Sequence, residues 1–419
     1  MKEINIGILG YGTVGSATDK LIRQNAPQIA ARTGIKINVR AVADISPKIK
    51  HPKLVRNAYD VIKDPEISVI VEAIGGINPA LNYVLAAIEA GKDVVTSNKE
   101  MIALHGNKIR EEAAKNGVSV RFEAAVGGGI PILGPLSENL AANNITEIFG
   151  IVNGTTNFIL SKMSWEGAEF KDALSDAQKL GYAEANPKKD IEGYDASYKA
   201  AILASVAFRA KIDWRKVYFE GISKITQEDI CYAEEIGYVI KLLAVAKKVN
   251  GEIEVRVHPT LVPEGHALSY VSGPMNAIYV RGDAVGELMF YGQGAGGAPT
   301  ASAIVGDILA VANPKSSALG GRNPKFKPMK MRSISEIVSR YYIRLTAPDK
   351  PGVLAGISKA FADAKVSIAA VMQKEMVGKN ATIVIVTHEA KEGDLQKAIA
   401  RIRKLSVVKE VSNVIRAGL

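Results

Sequence analysis

The segment INIGILGYGTVG, residues 4–15, decides the fold of the first part of this chain. Ile4–Leu9 is a short apolar run, which is typical of a buried parallel strand. It leads directly into a G-x-G-x-x-G turn, and a helical pattern then runs from Val14 towards Ala31. A strand, this turn and a helix in that order predict a dinucleotide-binding unit. A glycine turn with a purely structural role is the alternative interpretation.

Each glycine of the turn has an expected role. Gly10 would make the tight turn, Gly12 would let a pyrophosphate approach the backbone, and Gly15 would let helix and strand pack closely. The amides of Tyr11–Val14 are expected to face the phosphates at the helix N-terminus. The predicted cofactor contacts in this segment are Gly10, Gly12, Thr13, Val14 and Gly15.

The second strand is predicted at Ile37–Ala43 and ends at Asp44. An acidic residue in this place accepts hydrogen bonds from the adenosine ribose and favours NAD. Lys48 and Lys50 follow closely and could instead meet a 2′-phosphate, so NADP stays open as the cofactor.

Two further strands are predicted at Ile67–Ile74 and Asp93–Thr96, with a helix from Pro79 to Ala90 between them. The second of these strands ends in Ser97-Asn98-Lys99. Ligands bind at this edge of a doubly wound sheet, so Lys99 is expected near the nicotinamide and the substrate. A solvated surface charge is the alternative interpretation of this lysine.

A charged segment, AQKLGYAEANPKKDIEGYDASYK, occupies residues 177–199 and carries Glu184, Asp190, Asp195 and Lys199. If a helix begins near Asp195, Asp195 and Lys199 project from one face about one turn apart. Three carboxylates and one amine suit a small zwitterionic substrate with an ammonium group and a reacting hydroxyl. A surface helix with an ordinary i,i+4 ion pair is the alternative.

The spaced string A-x3-G-Y-x-E-x-N-P-x2-D-I-x-G-x-D-x3-K in this segment resembles the signature of homoserine dehydrogenases. The resemblance implies that Glu184 and Asp195 bind homoserine, that Asp190 supports them, and that Lys199 is the acid/base group.

Two shorter strings resemble the same family: TSNK, which ends at Lys99, and NGTTN, residues 153–157. They imply that Lys99 lines the active site, with Thr155 and Asn157 near substrate and nicotinamide. A capping and turn role is the alternative interpretation of Thr155 and Asn157. The resemblance also makes Gly181 and Gly296 neighbours of the cofactor.

A glycine-rich loop, Val126–Ile132, follows a strand predicted at Val120–Ala125. The resemblance implies a monovalent cation, Na⁺, held here by backbone carbonyls. Carried over by position, the ligands would be the carbonyls of Glu123, Val126, Gly128 and Ile130. A hinge between domains is the alternative explanation for the glycines.

The C-terminal part of the chain predicts the β-α-β-β-α-β order of a ferredoxin-like domain. The strands are expected at Tyr341–Ala347, Val366–Met376, Ala381–Glu389 and Val407–Ile415, and the helices at Val353–Ala364 and Gly393–Arg403. DKPGVLAGI, VSIAAVMQ and ATIVIVTHEA resemble an ACT regulatory domain. The resemblance implies threonine as effector, with contacts from Asp349, Gly352, Val353 and Leu354. A dimerisation module without a ligand is the alternative.

The patterns together predict an α/β protein of several domains. A Rossmann-type, doubly wound nucleotide domain covers residues 1–130 and is completed by about 295–315. An α+β catalytic and dimerisation domain follows at 131–294, then a linker at 315–338 and the ACT domain at 339–419. A homodimer or homotetramer is expected.

The amino-acid composition favours a globular protein and indicates no nucleic-acid-binding tract. Of 419 residues, 47% are hydrophobic and 23% charged, as in soluble globular proteins. The net charge of +10 is spread along the chain rather than gathered in a basic, aromatic-rich tract, so no nucleic-acid partner is expected. No signal peptide or membrane segment is predicted, and a cytoplasmic location is expected. The single Cys231 is expected to be buried in a helix at Gln227–Lys248.

The resemblance implies reversible hydride transfer between a nicotinamide cofactor and L-homoserine, giving L-aspartate 4-semialdehyde. Acyl-forming dehydrogenases of similar fold need a cysteine nucleophile, and Cys231 is poorly placed for that role. A non-catalytic, amino-acid-sensing nucleotide-binding regulator is the other interpretation. The charged 177–199 segment argues against it, because a sensor has no need of an acid/base lysine.

Overall fold

A computed structural model describes residues 1–313, 326–373 and 380–419. The described chain forms two compact units. The first unit comprises Met1–Val152, Tyr198–Lys216 and Asn276–Met329, and the second comprises Asn153–Ser197, Val217–Met275 and Lys330–Leu419.

The helices are α1 Thr13–Thr33, α2 Ala58–Lys63, α3 Ala80–Glu89, α4 Lys99–Asn116, α5 Leu133–Ser137, α6 Gly154–Glu166, α7 Phe170–Lys179, α8 Lys188–Ile191, α9 Tyr194–Phe208, α10 Gln227–Glu235, α11 Gly297–Ala312, α12 Val353–Asp363 and α13 Glu392–Ile402. The strands are β1 Lys2–Leu9, β2 Ile35–Ala43, β3 Leu54–Val55, β4 Val69–Glu72, β5 Asp93–Thr96, β6 Val120–Arg121, β7 Ile145–Ile151, β8 Ala210–Lys211, β9 Tyr218–Phe219, β10 Tyr238–Val249, β11 Glu252–Pro263, β12 Met275–Gly282, β13 Gly286–Gln293, β14 Lys327–Pro328, β15 Val338–Pro348, β16 Ile368–Gln373, β17 Asn380–Thr387, β18 Ala390–Lys391 and β19 Glu410–Ala417.

The first unit is built on a six-stranded parallel sheet in the order β3-β2-β1-β4-β5-β6. This is the doubly wound order predicted from the sequence, and it brings the carboxyl ends of β1, β4 and β5 to one edge. Helix α11 packs against α1 and contributes Ile304 and Ile308 to the core of this sheet. The segment that follows residue 295 therefore belongs to the same hydrophobic core as β1.

The predicted strand at Val120–Ala125 is wrong beyond its first two residues. Strand β6 ends at Arg121, and Glu123–Ala125 forms a 3₁₀ turn. The Glu123 carboxylate accepts hydrogen bonds from the backbone N–H groups of Ile132, Leu133 and Gly134 at 2.6, 2.8 and 2.6 Å. These contacts tie Glu123 to the start of α5, and the apolar pattern of residues 120–125 does not reveal them.

The predicted long helix at Gln227–Lys248 is also wrong. Helix α10 ends at Glu235, and β10 then pairs with β11 as a long antiparallel hairpin. Its turn is Asn250-Gly251, with positive φ angles of 51° and 80°, the pattern of a type I′ turn. The Leu, Ala and Lys residues of β10 favour a helix locally, but pairing along the whole strand overrides that preference.

The second unit contains the predicted ferredoxin-like domain, in which the strand order is β19-β15-β17-β16. Its core is formed by one face of that sheet with α12 and α13, through residues such as Tyr341, Ile385, Phe361 and Leu395. The βαββαβ prediction is confirmed. The ends of the predicted strand and turn at 374–379, and residues 314–325 of the predicted linker, lie outside the described residues.

Two further expectations concern burial and membranes. Cys231 is exposed on α10, so the expectation of a buried cysteine is wrong. Within the described parts of the chain, no helix is both long and apolar enough to cross a membrane.

Candidate active site

The glycine turn after β1 has the geometry that the sequence requires of it. Gly10 has a φ of 91°, and a Cβ there would lie 2.7 Å from the Ala73 carbonyl oxygen. A Cβ on Gly15 would lie 2.0 Å from the Gly10 carbonyl oxygen, so α1 begins in direct contact with the turn. A Cβ on Gly12 would meet nothing within 4 Å. The open space is therefore at Gly12, where a pyrophosphate would approach the backbone.

Asp44, at the end of β2, is tied to the same turn. Its Oδ2 accepts the Tyr11 backbone N–H at 2.7 Å, and its Oδ1 accepts the Ser46 N–H at 2.8 Å. The Tyr11 amide, expected to face the phosphates, is therefore directed at Asp44 instead. Each carboxylate oxygen keeps a second lone pair, which a ribose hydroxyl could use.

A cavity of 260 Å³ adjoins the turn within the first unit. Its walls come from the α1 N-terminus, the end of β5, the 124–128 loop and the start of α11. They are formed by Thr13, Val14, Ser97, Lys99, Ala124, Ala125, Gly128, Lys199, Gly294, Ala295, Gly296, Gly297 and Thr300. The cavity thus gathers Thr13, Val14 and Gly296 with both lysines.

Lys199 and Lys99 reach this cavity from different helices. Lys99 is the first residue of α4 and directly follows β5. Lys199 lies in α9, is 6% exposed, and donates a hydrogen bond from Nζ to the Val152 carbonyl oxygen at 2.6 Å. Two ammonium groups in one small cavity favour an anionic or electron-rich ligand there.

A buried polar network that sequence reasoning missed supports the same edge of the sheet. The fully buried Glu72 carboxylate accepts the backbone N–H groups of Ile74 and Gly75 at 2.8 and 3.1 Å. It also accepts the Thr96 hydroxyl, and Thr96 Oγ1 accepts the Asn98 N–H at 3.0 Å. This network fixes the loop after β4 relative to the start of α4. An acidic residue within the otherwise apolar run VIVEAI was the signal that could have revealed it.

The acidic part of the predicted site lies in the second unit. Asn153 Nδ2 donates to Asp190 Oδ1 at 2.7 Å and to Asp195 Oδ2 at 2.9 Å. Asp195 is 5% exposed, while Glu184 lies on an exposed loop after α7. Asp195 and Lys199 both belong to α9 and are four residues apart, so they lie on one helical face. Asn153 belongs to the NGTTN string, but the site residues predicted from that string are Thr155 and Asn157.

Thr155 and Asn157 of that string have structural contacts. Thr155 Oγ1 donates to the Tyr182 carbonyl, and Asn157 Nδ2 donates to the carbonyls of Val271, Gly273 and Met275 at 3.2, 3.0 and 3.1 Å. Asn157 is 1% exposed, so its amide holds the 271–275 loop. Gly181 has a φ of 78° and terminates α7.

The proposed cation loop turns sharply at two glycines. Gly127 and Gly128 have φ angles of 72° and 58°, and a Cβ on Gly128 would lie 2.5 Å from the Gly294 backbone. In residues 1–313, 326–373 and 380–419, no group of three or more His, Cys, Asp or Glu side chains is arranged to hold a metal ion. A cation in this loop would therefore depend on backbone oxygens, as the expected ligand set requires.

The predicted effector residues lie in the turn between β15 and α12. Gly352 has a φ of 90°, and Asp349 Oδ1 accepts a hydrogen bond from Gln373 Nε2 at 3.0 Å. The Val353 side chain lies in the domain core at 4% exposure, and its backbone N–H donates to the Lys350 carbonyl at 3.3 Å. Leu354 is 42% exposed.

The doubly wound sheet, the glycine turn and the cavity that holds two lysines define a dinucleotide-dependent oxidoreductase. Comparison with protein families agrees: residues 10–123 match the NAD-binding domain of homoserine dehydrogenase, 131–309 match homoserine dehydrogenase and 341–407 match the ACT domain. The chain belongs to the homoserine dehydrogenase family. Its ACT domain fits regulation of the enzyme.

Individual relatives extend the match over the whole chain. Homoserine dehydrogenase of Neisseria gonorrhoeae is 45% identical over 99% of this chain and 99% of its own length. The crystal structure of a homoserine dehydrogenase from Thiobacillus denitrificans has a TM-score of 0.95 at 44% identity, covering 100% of this chain and 99% of that one. A hyperthermophilic archaeal homoserine dehydrogenase in complex with NADPH gives 0.61 at 29% identity, covering 74% and 98%. The comparisons do not favour a non-catalytic sensor.

Proposed function

We propose that the chain interconverts L-homoserine and L-aspartate 4-semialdehyde, with Lys199 moving the proton of the reacting oxygen. The observation that carries this role is the position of Lys199, a buried amine in a cavity whose walls include the glycine-turn residues Thr13 and Val14. NAD or NADP, when bound, supplies the hydride chemistry at its nicotinamide. The open space at Gly12 and the start of α11 at Gly296 fit its pyrophosphate.

The other predicted site residues would divide the remaining work. Asp195, Asp190 and Glu184 offer carboxylates for the substrate ammonium group, and Asn153 holds the first two in a fixed relation. Lys99 adds a second positive charge beside the reacting oxygen. A neighbouring ammonium group favours the neutral form of a lysine, which a general base requires. We therefore expect homoserine oxidation to accelerate as the pH rises.

The test is the substitution Lys199→Met, assayed in both directions. We expect kcat to fall by about a hundredfold or more, since general acid–base catalysis contributes at least that factor. The dissociation constant of the cofactor should change little. Equal losses in kcat and in cofactor affinity would contradict the role.

Lys92→Met is a matched control for this substitution. Lys92 is also buried, at 5% exposure, and its Nζ also donates to backbone carbonyls, those of Asp64 and Ile67. It does not line the cavity. The Lys92→Met substitution should lower the free energy of unfolding and leave kcat of the folded enzyme near the wild-type value.

We propose that the cation loop binds Na⁺ through the carbonyls of Glu123, Val126, Gly128 and Ile130. Alkali ions bind hard oxygen ligands, and two successive left-handed glycines allow one short segment to turn several carbonyls inward. Thermal unfolding in NaCl, KCl and tetramethylammonium chloride of equal ionic strength tests this. Selective stabilisation by Na⁺ is expected, and identical curves would reject the site.

We propose threonine as the effector of the ACT domain, with Asp349 and the backbone at Gly352, Val353 and Leu354 as contacts, and a homodimer or homotetramer as the assembly. The support is the left-handed Gly352 at the start of α12, because the N-terminus of a helix favours a carboxylate group such as that of an amino acid. Threonine should inhibit the wild type and inhibit Asp349→Ala much less. Sedimentation velocity gives the assembly, and a monomer would contradict the proposal.

A further inference from the structure

A second cavity, of 700 Å³, lies within the second unit, and neither the catalytic roles nor the effector turn uses it. One wall is the ACT domain, through α13 and β19, and the opposite wall is formed by residues 188–194 and 218–225. The charged and polar groups on its surface are Lys188, Glu192, Tyr194, Tyr218, Glu220, Ser223, Lys224, Glu392, Gln396, Arg403, Ser412, Asn413 and Arg416. Its volume is that of small-molecule sites in general, but its lining is far more polar.

One face of α13 is directed at this cavity. Glu392, Gln396 and Arg403 line it together with Ile399, and the spacing of 4, 3 and 4 residues places them along a single stripe of the helix. The neighbouring stripe, which includes Leu395 and Ile402, is buried in the ACT core. Gln396 and Arg403 of the cavity stripe are exposed and lie outside that core, while Ile399 also belongs to it.

The base of the cavity is a fixed ionic cluster. Arg416, with a side chain 4% exposed, pairs with Glu220 and with Glu392, each at 2.9 Å. Its guanidinium also lies 5.1 Å from the centre of the Tyr218 ring. Gln396 Nε2 donates to Glu392 at 2.8 Å. This cluster ties the ACT domain to the 218–220 segment and is preorganised, so a ligand would not have to order it.

The other charged groups on the lining decide the ligand chemistry. They are three cations, Lys188, Lys224 and Arg403, and one carboxylate, Glu192. A ligand complementary to them carries two anionic groups and one ammonium group. A dicarboxylic α-amino acid has that set of charges, whereas a neutral amino acid such as threonine lacks the second anion.

The wall opposite α13 is continuous with the acidic residues of the proposed active site. Ile222 N–H donates to the Ile191 carbonyl at 2.8 Å, and a Cβ on Gly221 would lie 1.9 Å from that same oxygen. The 218–225 segment thus packs backbone to backbone on residues 191–192. Asp190, which is held by Asn153, directly precedes them. A ligand that bridges Arg403 and Glu192 would press on the segment that positions Asp190.

We propose that this cavity is a binding site for a dicarboxylic α-amino acid, separate from the effector turn at Asp349–Leu354. Arg403 and Lys224 bind the two carboxylates, and Glu192 binds the ammonium group. Occupancy restrains residues 188–193 and so changes the KM for homoserine more than kcat. This kinetic effect rests on the substrate role proposed for Asp190, while binding itself does not.

Isothermal titration of the full-length protein with L-aspartate and L-glutamate tests the site directly. The titrations are made without cofactor and with saturating L-homoserine, so that the substrate site is filled. One of the two amino acids should bind, and Arg403→Ala should weaken that binding by about tenfold or more, as expected when a charged partner is lost. Lys404→Ala is the matched control, because Lys404 is the adjacent exposed cation and does not line the cavity. It should bind like the wild type.

Three results would overturn the proposal. The first is no binding of either amino acid, and the second is an equal loss in Arg403→Ala and Lys404→Ala. The third is equal affinity for succinate, which has both carboxylates but no ammonium group. Arg403 is exposed, so its variant should fold, and unchanged circular dichroism checks this. Binding that depends on Arg403 without any change in KM would keep the site and reject only the role of Asp190.

Discussion

Asn153 Nδ2 lies 2.9 Å from Asp195 Oδ2, and the same amide nitrogen lies 2.7 Å from Asp190 Oδ1. One side chain therefore joins a carboxylate on α9 to a carboxylate on the preceding short helix. The Oδ1 atom of Asn153 has a different task, because it accepts the Thr156 N–H at 2.9 Å and caps α6. A substitution can therefore remove the bridge made by Nδ2 and keep the helix cap made by Oδ1.

Asn153→Ser should keep the cap and lose the bridge. Serine is as good an N-cap as asparagine, but it cannot reach both carboxylates. Hydrogen bonds to charged groups contribute about 1.5–3 kcal/mol, so we expect KM for homoserine to rise by roughly tenfold to a hundredfold. The loss of these hydrogen bonds should also lower the melting temperature, although the cap of α6 is kept. Asn57→Ser, at the cap of α2, is the control and should leave KM unchanged. An unaltered KM in Asn153→Ser would contradict the role of the bridge.

Lys241→Met should stabilise the protein at pH 7. Burial lowers the pKa of Lys241 to about 8. A lysine whose pKa is lower in the folded state favours folding at high pH, and this contribution is lost as the pH falls from about 10.5 through 8. At pH 7 the protonated, buried amine costs about 1–3 kcal/mol.

The substitution removes a donor from the buried Asn157 Oδ1, which accepts Lys241 Nζ at 3.5 Å. Lys241 Nζ donates to the Val271 carbonyl at 2.6 Å, but Asn157 Nδ2 also donates to that oxygen. Urea unfolding at pH 7 and pH 10 provides the measurement. The gain should be largest at pH 7 and shrink towards pH 10, and a gain independent of pH would show that packing rather than charge is responsible.

Asp307→Asn should alter the pH dependence of stability in the opposite sense. Burial, with a further contribution from the nearby Glu123 carboxylate, raises the pKa of Asp307 to about 7. A carboxyl group whose pKa is raised in the folded state stabilises the fold below its unfolded pKa of about 3.8, and this stability is lost as the pH rises through 7.

Wild type should therefore lose stability relative to Asp307→Asn between pH 5 and pH 8, by up to about 3 kcal/mol. Urea unfolding over that range measures the difference. Asp307 Oδ2 accepts the Glu123 N–H at 2.8 Å, and the asparagine oxygen can preserve that contact. A constant difference between the two proteins would mean that Asp307 is ionised across the whole range.

Asp44→Asn should shift cofactor preference towards NADP. The carboxylate lies at the end of β2, where a negative charge repels a 2′-phosphate, while Lys48 and Lys50 follow on an exposed loop. We expect the ratio of kcat/KM for NADP to that for NAD to rise about tenfold or more. Asp60→Asn, on the exposed surface of α2, is the charge-matched control. An unchanged ratio would assign the cofactor choice to Lys48 and Lys50.

Much of the first unit could be predicted because its signals are local. Gly15 is required by its contact with the Gly10 carbonyl, and Gly10 by its own positive φ. The strand Asp93–Thr96 has an apolar centre and is bounded by residues next to it in the sequence. The strand β10 could not be predicted from its composition, because its conformation depends on pairing with β11. The one local signal for that hairpin is the turn sequence Asn250-Gly251. The preceding residues have a high helical propensity, which favoured the prediction of a helix instead. The prediction that Cys231 is buried depended on the wrong prediction of that long helix.

The sequence by itself determined the dinucleotide turn, the four-residue spacing of Asp195 and Lys199, and the order of elements in the C-terminal domain. These depend on backbone conformation and periodicity, which neighbouring residues set. Tertiary structure alone decided that Asn153 bridges two carboxylates, that Glu72 accepts the Thr96 hydroxyl, and that Arg416 joins Glu220 to Glu392. Each of these joins groups 24 to 196 residues apart, and such contacts depend on packing, which no local pattern encodes.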